Sequence, residues 1–99
     1  MAKYQIMQIK NVDQCEYAFR TYKKERFNLS DYTVVHEGEI NRPDDNDYDI
    51  CERLFYQFNV DRPKDYTGRS LSVSDIVVIL DDGYEARYYC DFVGWIQIK

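Results

Sequence analysis

Several residue types that build familiar kinds of site are scarce in this chain. It has three cysteines, far apart and in no CxxC arrangement, so neither a disulfide framework nor a zinc site is indicated and we expect packed, reduced thiols. It has a single histidine, His36, which we expect at the surface because the string HEGE lacks the spaced partners that a metal ligand needs. We therefore predict no metal and no other cofactor.

Long apolar runs are also absent. None approaches the roughly 18 residues that cross a bilayer, and the start MAKYQIMQIK lacks the apolar stretch and cleavage site of a signal peptide. We expect a cytoplasmic protein with no membrane contact. The two prolines and four glycines, with 44% hydrophobic residues, predict a folded domain, whose length leaves little room for a deep catalytic cleft.

Basic residues are fewer than acidic residues, and the formal net charge is -5. A chain of this charge is repelled by phosphate backbones, so we expect no direct contact with nucleic acid and favour a basic partner protein. The ten tyrosines support the same expectation, because tyrosine supplies large, rigid, amphipathic contacts at interfaces.

Alternation, or a β-branched and aromatic run, predicts five strands. They lie at residues 3–9, 32–40, 76–80, 84–90 and 95–98. The third, IVVIL, is apolar throughout, as is typical of a central strand covered on both faces. Between the third and fourth strands, Gly83 or Asp82 before it is expected to take a positive φ in a hairpin turn.

Two helices are predicted beside these strands. One is short, at residues 21–27, and the main one, at residues 48–59, has apolar residues at spacings of three and four. Asp47 or Asp49 is expected to cap the main helix. Residues 1–99 therefore predict a small single α+β domain, in which a mostly antiparallel, strongly twisted sheet of about five strands packs with one or two helices.

The stretch RPKDYTGRSLSVSDIVVIL, residues 62–80, is the strongest candidate for a catalytic or phosphate-binding loop. A phosphate loop needs a second glycine followed by lysine and a hydroxyl residue, and these are missing. A serine nucleophile needs a base, and the single histidine lies inside a predicted strand. We predict no catalytic residue, and interpret Ser72, Ser74 and Asp75 as a turn bonded to nearby backbone amides.

Acidic residues cluster before the main helix and again at the hairpin turn. The clusters consist of Asp44, Asp45, Asp47, Asp49 and Glu52, and of Asp81, Asp82 and Glu85. Each cluster is either a negative face for a basic partner or a solvated surface. In the solvated case, the cluster before the main helix also compensates the helix dipole. The basic residues within residues 20–26 and 61–69, interleaved with Tyr22 and Tyr66, are either a contact for an anion or nucleic acid or the solvated side of a helix and a loop, and we favour the solvated side.

The order of segments resembles a known family. The strings YQI, YAF and YTVVHEGEI, then RPKDYTGRSLSVSDIVVI and YYCDFVGW, are similar to the YodL-like domain over nearly the whole chain. The resemblance is most specific at residues 66–78 and 89–95, where the family's patterns are GxSLSVSDVVV and YYVDxxGF. Cys90 and Trp95 replace the usual valine and phenylalanine, which are changes of volume, and the acidic insert NRPDDNDYD departs further.

This resemblance implies a fold and a genomic setting but no catalytic mechanism. The family occurs in Firmicutes chromosomes, conjugative elements and phages, alone or within larger proteins. Its founding bacterial protein is associated with actin-like cytoskeletal proteins, whereas members on mobile elements accompany genes that resist host defence. Protein binding without enzyme activity is implied, and the target stays open.

Two hypotheses follow. The first is an inhibitor, encoded by a phage or mobile element, that blocks a host defence nuclease (anti-CRISPR or antirestriction) by filling its basic groove with an acidic, tyrosine-rich surface. Its contacts would be Asp44, Asp45, Asp47 and Asp49, with Tyr48 and Tyr84 as anchors. The alternative is an adaptor or regulator that binds a cytoskeletal or conjugation protein through DYTGRSLSVSD, with contacts at Tyr66, Arg69 and Asp75. Either protein could be a monomer or a dimer.

Overall fold

A computed structural model describes residues 1–42 and 45–98 and shows one antiparallel sheet of five strands with an α-helix against it. The strands are β1 (Ala2–Ile9), β2 (Tyr32–Ile40), β3 (Ile76–Asp81), β4 (Tyr84–Cys90) and β5 (Trp95–Ile98), and the helix is α1 (Asp47–Val60). Their order across the sheet is β2-β1-β3-β4-β5. The predicted α+β class is confirmed, and each predicted strand is found.

β3 lies at the centre of the sheet because it is apolar on both sides. Its first four residues are all buried and alternate between two hydrophobic cores, one on each face. It pairs with β1 on one side and β4 on the other. In the turn between β3 and β4, both Asp82 (47°) and Gly83 (86°) take the predicted positive φ, which suits the twist of a two-residue hairpin.

α1 covers one face of the sheet with a stripe of buried side chains. These are Ile50, Cys51, Leu54 and Phe58, spaced as one side of a helix requires. The side-chain oxygen of Asn46 accepts a hydrogen bond from the amide of Asp49 at 2.9 Å. Asn46, and neither Asp47 nor Asp49, is therefore the cap, because Asp47 is already helical and its carboxylate is bonded to the sheet.

An irregular segment covers the opposite face. Residues 10–31 include two short 3-10 turns, Val12–Gln14 and Leu29–Asp31. The short helix predicted at residues 21–27 is wrong, and residues 24–26 form a turn instead. The aromatic residues here, Tyr17, Tyr22 and Phe27, all pack towards the sheet, and their spacing of five does not repeat on one side of a helix.

Most of the tyrosines belong to the interior. On the face under residues 10–31, three buried tyrosine hydroxyls donate to acceptors: Tyr17 to the Asp31 carboxylate (2.8 Å), Tyr32 to the carbonyl of Ser74 (2.6 Å) and Tyr89 to the carbonyl of Arg20 (2.8 Å). Such pairing lets large rings be buried without an unsatisfied polar group. The exposed tyrosines are Tyr48, Tyr56 and Tyr84, and these are free to meet a partner.

The three cysteines are free thiols, as expected. Cys51 and Cys90 are buried in the core under α1, and Cys15 is half-buried on the other face. Burial raises the pKa of Cys90 to about 12, so this thiol is protonated at neutral pH. Within the described residues, no helix is both long and apolar enough to cross a membrane.

Candidate functional site

The fold brings most of the two acidic clusters of the sequence to one end of the molecule. Glu52 of the first cluster lies apart, where its carboxylate accepts from the indole of Trp95 at 3.1 Å. The hydroxyls of Tyr84 and Tyr88, on β4, donate to the carboxylate of Asp47, on α1, at 2.6 and 2.7 Å. Arg42 lies 2.9 Å from Asp47 and 3.8 Å from Asp81. We call the exposed and half-buried carboxylates around this junction the acidic end: Asp45, Asp49, Asp81, Asp82 and Glu85.

Asp47 is the buried centre of the acidic end. Its Oδ2 accepts both tyrosine hydroxyls and its Oδ1 faces Arg42. Burial opposes its ionisation, but the hydrogen bonds from Tyr84, Tyr88 and Arg42 outweigh burial and lower the pKa of Asp47. Asp47 is thus ionised and bonded within the chain. The structure corrects its predicted role from an exposed contact to a clasp between α1 and β4.

A shallow cleft of about 560 Å³ opens at this junction. The rings of Tyr48 and Tyr84 line it, 49% and 47% exposed, and Tyr48 packs edge-on against Tyr88 at 5.4 Å. Because half-exposed Tyr84 donates its proton to Asp47, the remaining lone pairs of its hydroxyl can accept a hydrogen bond from outside. The cleft therefore suits an arginine or lysine side chain, which the aromatic faces also attract.

The other carboxylates predicted for the acidic surface differ in their exposure and in whether they are already paired. Asp49 is exposed on the first turn of α1. Asp45 is half-buried and pairs with Arg53 at 2.6 Å. Asp44 lies outside the described residues. Among the hairpin carboxylates, Asp81 faces Arg42 and Glu85 pairs with Arg87 at 2.6 Å, so exposed Asp49 and Asp82 are the charges that a partner would meet first.

The loop before β3 is organised by a buried carboxylate. Asp75 has 0% exposure, and its Oδ2 accepts from the amide of Ser72 at 2.9 Å and from the side chain of Gln8 at 3.1 Å. Its Oδ1 lies 3.9 Å from Arg69 and has no hydrogen-bond partner among residues 1–42 and 45–98. Burial raises the pKa of Asp75 to about 6. Asp75 is out of a partner's reach, so its predicted contact role is corrected to that of a loop organiser.

Gln8 ties the same loop to β1. Its side chain donates to the carbonyl of Arg69 and accepts from the amide of Arg69, both at 3.0 Å. A Cβ on Gly68 would lie 2.6 Å from the Tyr66 hydroxyl and 2.9 Å from the Gln8 side-chain oxygen, so the loop needs glycine there. Sequence analysis missed Gln8, since a glutamine within an alternating strand carries no signal of its distant partners.

Tyr66 and Arg69, the remaining predicted contacts of this loop, are half-buried. The Tyr66 ring packs edge-on against Phe58 at 4.8 Å, and its hydroxyl donates to the carbonyl of Arg69. The guanidinium of Arg69 lies over the ring of Phe19 at 5.3 Å. Arg69 is thus the one contact of this predicted set that offers an accessible charge.

The serines of the loop have structural partners. The turn interpretation is confirmed for Asp75 and Ser72, whereas the Ser74 hydroxyl accepts from the distant amide of Phe19 at 3.0 Å. Both Phe19 (62°) and Ser74 (81°) take a positive φ, which is uncommon for such residues. Across residues 1–42 and 45–98, no hydrogen bond joins His36 to a serine, and no group of three or more metal-binding side chains is found.

His36 is half-buried and not a surface residue as predicted. Its ring packs edge-on against Phe58 at 5.1 Å and Tyr66 at 5.7 Å. The pairing of β1 with β2 shifts between Ile6 and Met7, whose partners are His36 and Val34, so an extra residue of β2 bulges here. His36 itself lies outside the bulge, opposite Ile6 of the core under α1, so regular strand alternation already places it on the side that α1 covers.

Comparison with known proteins places this fold in a family. The family model of the YodL-like domain matches residues 3–99. The chain belongs to the YodL-like domain family. It is 30% identical over 90 residues to "Uncharacterized protein YodL" of Bacillus subtilis (strain 168), a match that covers 86% of this chain and 84% of that protein. No solved structure matches it.

Proposed function

We propose that this YodL-like domain is a non-enzymatic inhibitor, carried by a phage or mobile element, that blocks a host defence nuclease through its acidic end. The observation that carries the proposal is the meeting of two acidic clusters, distant in sequence, around a cleft lined by Tyr48 and Tyr84. Defence nucleases hold nucleic acid in positively charged channels, and a compact acidic surface complements such a channel.

The chemistry of the cleft supports a basic side chain as the ligand group. An arginine or lysine from the channel wall would meet the faces of two half-exposed tyrosines and the carboxylate of Asp81. The Asp47 clasp already fixes Tyr84, so less side-chain freedom is lost on binding. The outer carboxylates would steer the encounter and make it sensitive to salt.

The alternative, an adaptor that binds a cytoskeletal or conjugation protein through the loop before β3, has weaker support. Asp75 is buried, and the Tyr66 hydroxyl is bonded within the loop. Arg69 alone would carry the polar contact. The acidic end offers several exposed charges and two aromatic rings together, so we favour it.

The test uses two variants that remove equal charge at different places. The acidic-end variant carries Asp49→Asn, Asp81→Asn and Asp82→Asn, and the control variant carries Asp13→Asn, Asp61→Asn and Asp65→Asn. The control residues are exposed and lie outside the acidic end. Asp47 is left intact so that the cleft keeps its shape.

Each tagged protein is incubated with lysates of cells that carry defence systems, at low and moderate salt, and retained proteins are identified by mass spectrometry. A retained nuclease is then assayed for DNA cleavage. We expect the wild type and control variant to inhibit, and the acidic-end variant to bind at least about tenfold more weakly, because the steering and rim charges are lost. Equal inhibition by both variants, or capture of a filament or conjugation protein instead, would contradict the proposal.

A further inference from the structure

At the end of β4 opposite the acidic end, the chain presents two exposed apolar side chains. Phe92 and Val93 are 70% and 92% exposed, in the turn of the β4–β5 hairpin. Gly94, at a φ of 75°, closes this turn, and the amide of Asp91 donates to its carbonyl at 3.0 Å. The turn is thus a defined apolar tip, made of Phe92 and Val93, on a hydrogen-bonded hairpin.

A carboxylate joins this tip to the irregular segment. The Thr21 hydroxyl donates to Asp91, with oxygen distances of 2.7 and 2.8 Å, and the amide of Tyr22 donates to it at 3.1 Å. The amide of Phe92 donates to the same carboxylate at 2.7 Å. Residues 20–26 are therefore held beside the tip.

Residues 20–26 are the basic part of an acidic chain. Four of the seven carry positive charge and one carries negative charge: Arg20, Lys23, Lys24 and Arg26 against Glu25. Arg20, Lys23 and Lys24 are exposed. Counting Asp91 as well, these four positive charges stand against two negative ones, so this end, which we call the basic end, is locally positive although the chain is negative overall.

We propose that the basic end docks on an anionic lipid surface, with Phe92 and Val93 inserted between the headgroups and the lysines on the lipid phosphates and carboxylates. A convex apolar pair can enter a soft layer, and an anionic bilayer offers an apolar layer and negative charge at one boundary. A nucleic acid duplex could receive the apolar tip only by unstacking a base step, at a cost in free energy, so a lipid surface matches the tip better. The inference departs from the sequence-based expectation of no membrane contact, which rested on the absence of a long apolar run; docking on a surface needs no such run.

The test is vesicle flotation of the intact protein. Vesicles of phosphatidylcholine alone are compared with vesicles of equal parts phosphatidylcholine and phosphatidylserine, at low and moderate salt. We expect the wild type to float with the phosphatidylserine vesicles, less so as salt rises. Lys23→Gln with Lys24→Gln should weaken partitioning about 25-fold, since each basic residue near such a surface contributes about fivefold. Phe92→Ser with Val93→Ser should also release the protein, and their exposure keeps the fold intact.

A second readout follows the tip itself. In a Val93→Trp variant, the new indole should shift its fluorescence to shorter wavelength with phosphatidylserine vesicles and not with phosphatidylcholine alone. Trp95 is buried and provides a constant background. Unchanged emission with both kinds of vesicle would show that the tip does not insert into lipid and would overturn the proposal.

The acidic-end variant serves as the matched control. It should float as well as the wild type or better, because it loses negative charge far from the tip. The same variant is expected to bind the nuclease more weakly, so the lipid proposal and the inhibitor proposal can fail independently of each other. Failure of the wild type to float with phosphatidylserine vesicles, or flotation of the lysine and tip variants like the wild type, would overturn the proposal. Binding of a labelled DNA duplex without vesicle binding would overturn it as well and assign the basic end to nucleic acid.

Discussion

At each end of β4 one aspartate joins two segments that are distant in sequence, but the two joints differ in burial. Asp47, at the acidic end, is buried under Tyr84 and Tyr88, whereas Asp91, at the basic end, is half-buried and bonded to Thr21 and backbone amides. Burial disfavours both charges, yet hydrogen bonding lowers the pKa of both carboxylates. The acidic end is therefore fixed by bonds that water cannot replace, and the basic end by bonds that water can partly replace.

The largest expected effect of breaking either joint is at Asp47. In Asp47→Ala, the hydroxyls of Tyr84 and Tyr88 and the guanidinium of Arg42 lose their shared acceptor. We expect the free energy of unfolding to fall by about 3 to 5 kcal/mol, as for a buried ion pair that loses one partner. Urea unfolding monitored by circular dichroism measures it.

Asp47→Asn is the matched control for this change. It keeps one acceptor oxygen for the tyrosines and loses the charge facing Arg42, so it should recover part of the stability. A loss below about 1 kcal/mol for Asp47→Ala would mean that the acidic end is held mainly by packing.

The next largest effect on stability is expected at Asp75, which lies beneath Arg69. Its stability contribution depends on pH in the opposite sense to those of Asp47 and Asp91. The pKa of Asp75 is raised from its ordinary 3.8 to about 6, so the folded protein binds this proton more tightly than the unfolded chain does. Its contribution to stability is fully present below about pH 4 and is lost as the pH rises through about 6. For Asp47 and Asp91 the sign is reversed, because their pKa is lowered: their contribution is present above about pH 4 and is lost as the pH falls.

Asp75→Asn removes this titration. Relative to that variant, the wild type should gain up to about 3 kcal/mol of unfolding free energy between pH 7 and pH 4. Urea titrations of both proteins across this range, with Asp91→Asn as a control of opposite sign, measure the difference. A stability difference between wild type and Asp75→Asn that does not change with pH would show that burial leaves the Asp75 carboxyl unperturbed.

Secondary structure was predictable from the sequence where a segment contains the residue pattern of its own strand or helix. β2 and α1 were predictable because the β-branched and aromatic residues within 32–40 and the helical stripe over 48–59 are signals that each segment carries without reference to the rest of the chain. The helix predicted at residues 21–27 failed because its aromatic residues pack on tyrosines that arrive from β2 and β4. Tertiary contacts override local pattern there.

The residues of the candidate site likewise fall into those whose role the local sequence predicts and those whose role depends on distant partners. Tyr48 and Tyr84 were predictable as aromatic contacts beside acidic clusters, and both line the cleft. That Asp47 is a buried clasp was not predictable, since its partner Tyr88 lies 41 residues away and reaches it only through the packing of α1 on β4. Asp75 is a similar case, because its burial depends on Gln8, 67 residues distant.

The smallest expected effect is at Asp91. Asp91→Ala removes bonds from a half-buried group, and water can satisfy the amide of Tyr22 and the hydroxyl of Thr21, so the unfolding free energy should fall by only about 1 kcal/mol. The local effect should be larger: hydrogen exchange at the amides of residues 20–26 should accelerate while exchange in β3 stays slow. Vesicle flotation should weaken although the basic residues and the tip remain and one negative charge is lost, because the basic segment is no longer held beside Phe92. A stability loss equal to that of Asp47→Ala would erase the distinction between the two ends, and unchanged exchange at residues 20–26 would show that the aromatic packing alone holds the segment.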